Sequence, residues 1–427
     1  RGGVSRNCSR RTAQDPLPRH RVKYASHLRD SDGSSSLFKV INVTMPGPGG
    51  KSSNATRSDG RLSQNLSLDP RCYWDNGFFE LEVKTLFRHS WVSIGRFDQV
   101  PNHGDYLALE VARIPLIITR DDAGNLHALA NSCRHRGTQL LNAGRGHCQR
   151  LTCPFHGWSY ALDGTLMSAP QMSGAAAFDL ADYPLQRIPI AVRAGFIFVD
   201  PLGQSGDIDE WLGDFEGLHT PWDLSRLLTG YDTSLVVECN WKAFLEVFNE
   251  YYHLRKVHPR SFSLYYDTPD PGEQVTGNFA TQFGGHHGER SVAKVSDGSK
   301  PLPMFPGMKG RNRNGTRYTW LFPGLAFAAS SDALWSFGVE PLVPERTRVT
   351  MAVCFAPEVT QQADFAERFA PYRQRMQEGL EEDLEVLQRQ QHGLTSPLAR
   401  PGPYAPLLED SVRRFHVWLS ARLAMPS

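Results

Sequence analysis

The 427 residues carry 46 Lys and Arg against 45 Asp and Glu, a balance that gives no electrostatic footing for nucleic acid or an anionic membrane surface. That length suits two or three domains, and no apolar run approaches the roughly twenty residues that a bilayer span requires. Seven cysteines, an odd number in a large chain, speak against a disulfide scaffold and for a reducing compartment. On that reading the Asn-x-Ser/Thr triplets at Asn7, Asn42, Asn54, Asn65 and Asn314 are chance rather than glycan sites.

Residues 1–67 are rich in Arg, Ser, Gly and Pro and show no helical or strand period, which predicts a disordered or loosely attached arm. The same Arg- and Ser-rich, acid-poor composition fits an organellar transit peptide, with an upstream-translation origin as the alternative because the chain begins at Arg1. PGPGGKSS at 46–53 hints at a phosphate loop, but Met45 stands where the first Gly is needed. From Leu68 to Trp91 a lead-in segment shows helix-like spacing at Phe79, Val83, Leu86 and Phe87. Residues 92–202 then alternate short apolar runs (Leu107 to Val111, Ile114 to Ile118, Ile188 to Val192, Phe196 to Val199) with Gly, Pro, Asn and Asp turns. That alternation predicts a small all-β domain.

Within it, Cys133-x-His135 and Cys153-x-x-His156 form two tight ligand pairs with seventeen residues (136 to 152) between them. Two centres suit this ligand set: a tetrahedral structural zinc, or a Rieske [2Fe–2S] cluster with two Cys on one iron and two His on the other. Each pair sits at a turn inside strand-like sequence, which favours the two-loop presentation of a cluster. Cys148 breaks neither pair and reads as a small buried hydrophobe.

A linker near Pro201 to Gly206 leads into a second, α+β domain. Its strands are expected at Ser234 to Cys239, Arg317 to Leu321, Ala333 to Val339 and Arg348 to Phe355, and its helices over 361–391 and 407–423. Chemistry concentrates in NWKAFLEVFNEYYHLRKVHP, residues 240–259. A continuous helix there would align Glu246, Glu250 and His253, and would turn His258 away from His253 by about 140°. Pro259 biases His258 out of the α region, so a helix end there lets the imidazoles converge. Two His and a carboxylate on one face of a metal is the facial triad of mononuclear non-heme iron(II) oxygenases. Asp383, beside the apolar stripe of Leu380, Leu384 and Leu387, is the expected third ligand, since an unpaired carboxylate on such a face is costly. Glu382 is expected on the opposite face and Glu381 on a flank. A rival di-iron reading would pair Glu216-x-x-His219 with Glu250-x-x-His253, but Gly213, Gly217 and Pro221 make a poor helix interior around the first.

CRHRG followed by CPFHGWSYALDG closely resembles the Rieske domain of the oxygenase component of Rieske non-heme iron oxygenases. EVFNEYYHLRKVHP and EEDLEVLQRQQHG are similar to segments of the choline monooxygenase, glycine betaine and carnitine oxygenase branch, and the likeness covers residues 68–423. It implies an N-terminal Rieske domain with its lead-in segment over 68–205, and a helix-grip, START-like α+β catalytic domain over 206–427. It also implies Cys133, His135, Cys153 and His156 as ligands of a [2Fe–2S] cluster and His253, His258 and Asp383 as ligands of a mononuclear iron. Glu250 would be the carboxylate linking that iron to the cluster of a neighbouring subunit in a homotrimer. Val247 departs from the usual Asn, and Glu250 stands where the naphthalene dioxygenase branch has Asp, a difference that favours the amine-oxidising branch.

These expectations describe an O₂-dependent enzyme. Hydroxylating a C–H bond with O₂ takes two electrons beyond those of the substrate bond, and the cluster supplies one at a time. No dinucleotide fingerprint is present, so NAD(P)H and flavin chemistry belong to a separate reductase, with Arg134 and Arg136 beside His135 as possible docking cations. The cytoplasm is the expected location, with plastid or mitochondrion if the N-terminal arm is a transit peptide. The substrate wall is expected among Phe262, Tyr265, Tyr266, Phe279, Phe283, Trp320, Phe322, Phe327, Trp335 and Phe337, three or four of them lining a pocket for a quaternary ammonium or an aromatic or alkaloid-like ring. His286 and His287 are expected to be exposed loop residues. A non-catalytic electron-transfer protein is the competing class, but it would not need the second ligand set.

Overall fold

The computed structural model describes residues 66–259, 262, 266, 268–287 and 301–423. Expectations for Arg1 to Asn65 and for Tyr265 lie outside them. Leu66 bridges Pro403, and the Ser67 N–H donates to the Gly402 carbonyl at 2.8 Å.

The apolar spacing of the lead-in segment forms a short helix, Asn76–Leu81, capped by the Asp75 side chain on the Phe78 N–H. A π-turn over Glu82–Leu86 and a 3₁₀ turn over Phe87–His89 continue it. All four residues of the expected stripe are at most 3% exposed. They do not pack on the β domain alone: Phe87 meets Trp241 edge-on with centroids 5.0 Å apart, and the Glu82 carboxylate takes the Lys242 ammonium at 2.7 Å and the Trp241 Nε1–H at 3.0 Å. Lys242 and Glu82 are 0% and 1% exposed. Removing one partner of such a pair leaves a buried charge, at a cost of about 3–5 kcal/mol.

The β domain closes around a five-stranded antiparallel sheet in the order Gly144–His147, Asp105–Val111, Ile114–Arg120, Leu126–Ala130, Arg187–Ile188. A small sheet of Leu151–Thr152, Ser159–Tyr160 and Leu166–Ser168 carries the second ligand loop. The period-2 alternation called for this: in Asp105–Val111, Tyr106, Ala108 and Val111 are buried between more exposed neighbours.

The second domain is built on a six-stranded antiparallel sheet in the order Leu228–Val237, Arg346–Phe355, Leu334–Val343, Leu325–Ala329, Gly315–Leu321, Phe279–Gly285. The strands at Leu325–Ala329 and Phe279–Gly285 were not anticipated. Each is almost continuously buried, so neither shows the alternation by which a half-buried strand is read. Helices Trp241–Phe248, Phe365–Leu394 and Asp410–Leu423 complete the domain. Among the described residues no helix is long and apolar enough to cross a membrane, and the six cysteines form no disulfide.

Two candidate metal centres

The two ligand loops of the β domain are copies of one another. The Cys133 N–H donates to the Thr138 carbonyl at 2.9 Å, and the Gly137 N–H donates back to the Cys133 carbonyl at 2.8 Å. In the second loop Cys153 N–H donates to Trp158 O at 2.7 Å and Gly157 N–H to Cys153 O at 3.1 Å. Each loop closes on a left-handed glycine, Gly137 at φ 73° and Gly157 at φ 74°, a conformation in which a Cβ is strained. The thiols point inward, with Cys133 and Cys153 at 3% and 2% exposure, while His135 and His156 are exposed. The two imidazole Nδ1 atoms are 3.2 Å apart, close to the spacing of two nitrogens on one ion at about 2.1 Å each. The Tyr160 hydroxyl lies 3.3 Å from Cys133 Sγ and accepts the Arg134 N–H at 3.0 Å. Trp158 stacks on His135, and Phe155, 59% exposed, lies against His156.

Among the described residues, His253, His258 and Asp383 bring three ligand atoms within 4.8 Å of one another.

The second site forms where a helix fails. Trp241–Phe248 starts at Asn240, whose side chain accepts the Lys242 N–H. It stops at Asn249, whose N–H falls back to Glu246 O and whose side chain caps Leu245 O at 2.7 Å. The expected stripe of Glu246, Glu250 and His253 is therefore broken between Glu246 and Glu250. Glu246 turns into the core, accepting from the Tyr73 hydroxyl at 2.8 Å and facing His416 Nε2 at 2.9 Å. Glu250 and His253 lie in the bend before a second short helix, Leu254–Val257, and that break, rather than Pro259 alone, brings the histidines together.

His253 Nδ1 lies 2.6 Å from Glu250 Oε1, and His258 Nδ1 2.7 Å from Glu382 Oε2. Each imidazole thus donates its Nδ1–H to a carboxylate and turns Nε2 toward Asp383 Oδ1, at 3.6 Å and 2.9 Å. That oxygen is buried and makes no well-aligned hydrogen bond. Two lone-pair nitrogens and an orphaned carboxylate oxygen facing one point suit a hard to borderline cation such as iron(II). Burial lowers the proton affinity of His258, but Asp383 and Glu382 together outweigh it and leave its pKa raised. The expectation that Glu382 points away is corrected here: successive residues on a helix are about 100° apart, and His258 reaches between them.

Against His258 begins an aromatic shell. Phe262 lies edge-on to it at 5.2 Å and stacks on Trp335 at 6.5 Å. Trp335 meets Phe337 and Phe248, and Phe248 meets Tyr318, which is in ring contact with Tyr251 and Tyr266. The Tyr266 and Tyr318 hydroxyls are 2.7 Å apart. The Tyr251 hydroxyl and Trp335 Nε1 are buried with no hydrogen-bond partner among the described residues. Of the aromatics expected from the sequence, Phe262, Tyr266, Trp335 and Phe337 belong to this shell. Phe279 and Phe327 instead pack around Phe215, Trp320 and Phe322 around Phe415, and Phe283 under Arg311. Sequence reasoning missed Phe248, Tyr251 and Tyr318, although the first two lie inside the ligand segment itself.

The di-iron alternative fails on geometry. His219 is buried with Nδ1 2.6 Å from Phe215 O and Nε2 2.8 Å from Thr319 Oγ1, and Glu216 binds the Ala194 N–H. His286 is a correction: it is 6% exposed, with Nε2 on Thr316 Oγ1 at 2.8 Å, whereas His287 is exposed.

Residues 90–184 match the Rieske [2Fe-2S] domain, and residues 224–425 match the catalytic domain described as ring hydroxylating alpha subunit. The chain belongs to the Rieske non-heme iron oxygenases, as the oxygenase component of a multicomponent system. It is 28% identical over 391 residues to the glycine betaine monooxygenase oxygenase subunit of Chromohalobacter salexigens, covering 85% of this chain and 86% of that one. Chloroplastic choline monooxygenase of Spinacia oleracea is 25% identical, with coverage of 82% and 77%. The solved structure of the quaternary ammonium Rieske monooxygenase CntA with L-carnitine superposes with a TM-score of 0.69 at 21% identity, covering 84% of this chain and 95% of that one.

Proposed function

We propose that the chain hydroxylates a carbon beside the nitrogen of a small quaternary ammonium or other amine, with oxidative demethylation as the outcome when that carbon is a methyl. The observation that carries the reading is the shell of Phe262, Trp335, Phe337, Phe248, Tyr318, Tyr266 and Tyr251 that starts at the iron-ligand imidazole. Aromatic faces attract a cation that cannot donate hydrogen bonds, and their burial excludes water. The sequence relatives named for glycine betaine and choline support the same class.

Cys133, His135, Cys153 and His156 hold the [2Fe–2S] cluster, and His253, His258 and Asp383 the iron. Bound there, the two groups supply O₂ activation and the electrons for it. Overall, substrate C–H, O₂, two electrons and two protons give C–OH and water; on an N-methyl group the product breaks down to the demethylated amine and an aldehyde. Glu250 and Glu382 hold the two imidazoles by their Nδ1–H. Glu250 also connects the site toward the cluster of a neighbouring protomer, the arrangement of a homotrimer. A separate flavin- and iron–sulfur-containing reductase delivers the electrons, and the cytoplasm is the proposed location.

Purified protein tests this directly. About three irons and two acid-labile sulfides per chain are expected, followed by turnover of quaternary ammonium substrates with a surrogate reductase and ¹⁸O₂. Zinc in place of iron would end the reading of the centres. Oxidation of arenes with no turnover of any amine would end the substrate reading.

A further inference from the structure

A cleft apart from both metal centres lies between the first two turns of the helix Asp410–Leu423 and the outermost strand of the six-stranded sheet, Phe279–Gly285. Its volume is about 190 Å³; an apolar cavity of about 150 Å³ holds benzene, so a small organic molecule fits. Asp410, Arg413, Arg414 and Val417 fall at i, i+3, i+4 and i+7 and share one helix face, which forms one wall of the cleft. Ala280 and Thr281 line it from the strand. Neither the iron ligands nor the aromatic shell contributes a residue.

This wall holds polar groups that the chain itself leaves unanswered. The half-buried Arg414 guanidinium donates from Nε to Phe279 O and from Nη2 to Val275 O, each at 2.7 Å. Both acceptors are neutral carbonyls. Among the described residues no carboxylate lies within ion-pair distance of Arg414 or of the exposed Arg413. Burial pushes the Arg414 pKa down with nothing to oppose it, the sign of a cation short of a counter-ion. Ser411, on the same turn, is 4% exposed and lines the cleft, yet its hydroxyl makes no hydrogen bond among the described residues. Buried hydroxyls have partners as a rule. The acids nearby are already engaged: Asp410 Oδ2 accepts the Gly272 N–H at 3.0 Å, and Glu273 takes Arg317 at 2.6 Å. Three guanidiniums thus stand against two carboxylates, and the two unpaired ones sit near the helix N-terminus, where the backbone adds positive potential.

We propose that this cleft is a second ligand site, for a small organic oxyanion: its charged oxygens on Arg413 and Arg414, and one of them accepting the Ser411 hydroxyl. A guanidinium fork matches a carboxylate or a phosphate ester equally, and Val417 and Ala280 give the carbon end an apolar wall. The inference is independent of the reaction proposed above, since it uses none of the residues assigned to it.

The test is anaerobic calorimetric titration of the holoenzyme at fixed ionic strength, with succinate and glycerol 3-phosphate as probes and succinamide as the neutral control. Saturable binding of at least one anion is expected, with none of succinamide; the tighter probe tells which oxyanion the site prefers. Ser411→Ala should weaken that binding about 2- to 10-fold, the span of one neutral hydrogen bond, and Arg413→Gln about 10-fold, the lower end for a charge-assisted one. Arg413→Lys should recover part of the loss. Iron content and cluster absorbance equal to wild type verify that these variants fold. Asp383→Ala, expected to lack the mononuclear iron, should bind the anion as wild type does. Binding that disappears in Asp383→Ala would put the anion on the iron and overturn the proposal. So would the absence of saturable binding, equal binding of succinamide, or an affinity unmoved by both Ser411→Ala and Arg413→Gln.

Discussion

Replacing Glu382 isolates a contribution that the sequence did not announce. Its Oε2 takes the His258 Nδ1–H at 2.7 Å, and its side chain is 38% exposed. A charge-assisted hydrogen bond is worth about 1.5–3 kcal/mol, and partial exposure places this one in the lower half of that range. Loss of about 1.5–2 kcal/mol of imidazole orientation should weaken iron(II) binding roughly 10- to 30-fold, within the span seen when outer partners of metal-bound histidines are removed. Glu382→Leu should therefore show reduced mononuclear iron after dialysis against a competing chelator, with the cluster absorption unchanged. Glu382→Gln retains an acceptor and should lie between Leu and wild type. Glu250→Gln, on the better shielded His253 contact at 2.6 Å, should cost at least as much. Iron retention by Glu382→Leu equal to wild type would refute the reasoning, as would loss of the cluster together with the iron.

Three further outcomes follow from the same structure. Asp383→Ala removes the one carboxylate oxygen facing both imidazole Nε2 atoms; iron analysis should show the mononuclear metal gone and the cluster spectrum intact, and loss of both or of neither would count against its assignment. Gly379→Ala gains up to about 1 kcal/mol of helix propensity but drives Phe262 back by more than an ångström from a 2.2 Å contact. Its Tm should move little while kcat/KM falls by up to about 100-fold, and unchanged kinetics would show that Phe262 does not set the pocket. Burial pushes the pKa of His219 down to about 3, opposed by its bond to Phe215 O and aided by Arg317. The unfolded chain takes up that proton near pH 6.5, so the stabilisation is complete above that value and is lost as pH falls. By pH 5 the loss is about 2 kcal/mol. Urea titrations between pH 7 and 5 should give a shallower slope for His219→Gln, and an identical slope would refute the assignment.

Legibility followed chemistry more than packing. The Cys–His pairs were readable because the cluster needs four particular side chains at two tight turns, and Gly137 and Gly157 advertise those turns. His253, His258 and Asp383 were readable because ligand types are few. What escaped was anything decided by tertiary context. The Asn249 break is set by an Asn capping its own helix at Leu245 O, and no spacing rule forbade a longer helix. Glu382 looked solvated because its helix face was judged without the histidine that comes to it. Which three or four of the ten candidate aromatics face the site was not legible, because a buried strand offers aromatics to both of its faces and a continuous apolar run does not say which face looks on the site.

The lead-in segment gives the polypeptide an unusual order of assembly. Glu82 meets Lys242, 160 residues later, and Tyr73 closes on Glu246, 173 residues later. At translation rates of about 5–20 residues per second, Glu82 leaves the ribosome roughly 10–30 seconds before its counter-ion exists. In that interval the whole span with the four cluster ligands is synthesised. The whole β domain, with its four Cys and His ligands, is therefore synthesised before the buried ion pair that ties the lead-in segment to the second domain can close.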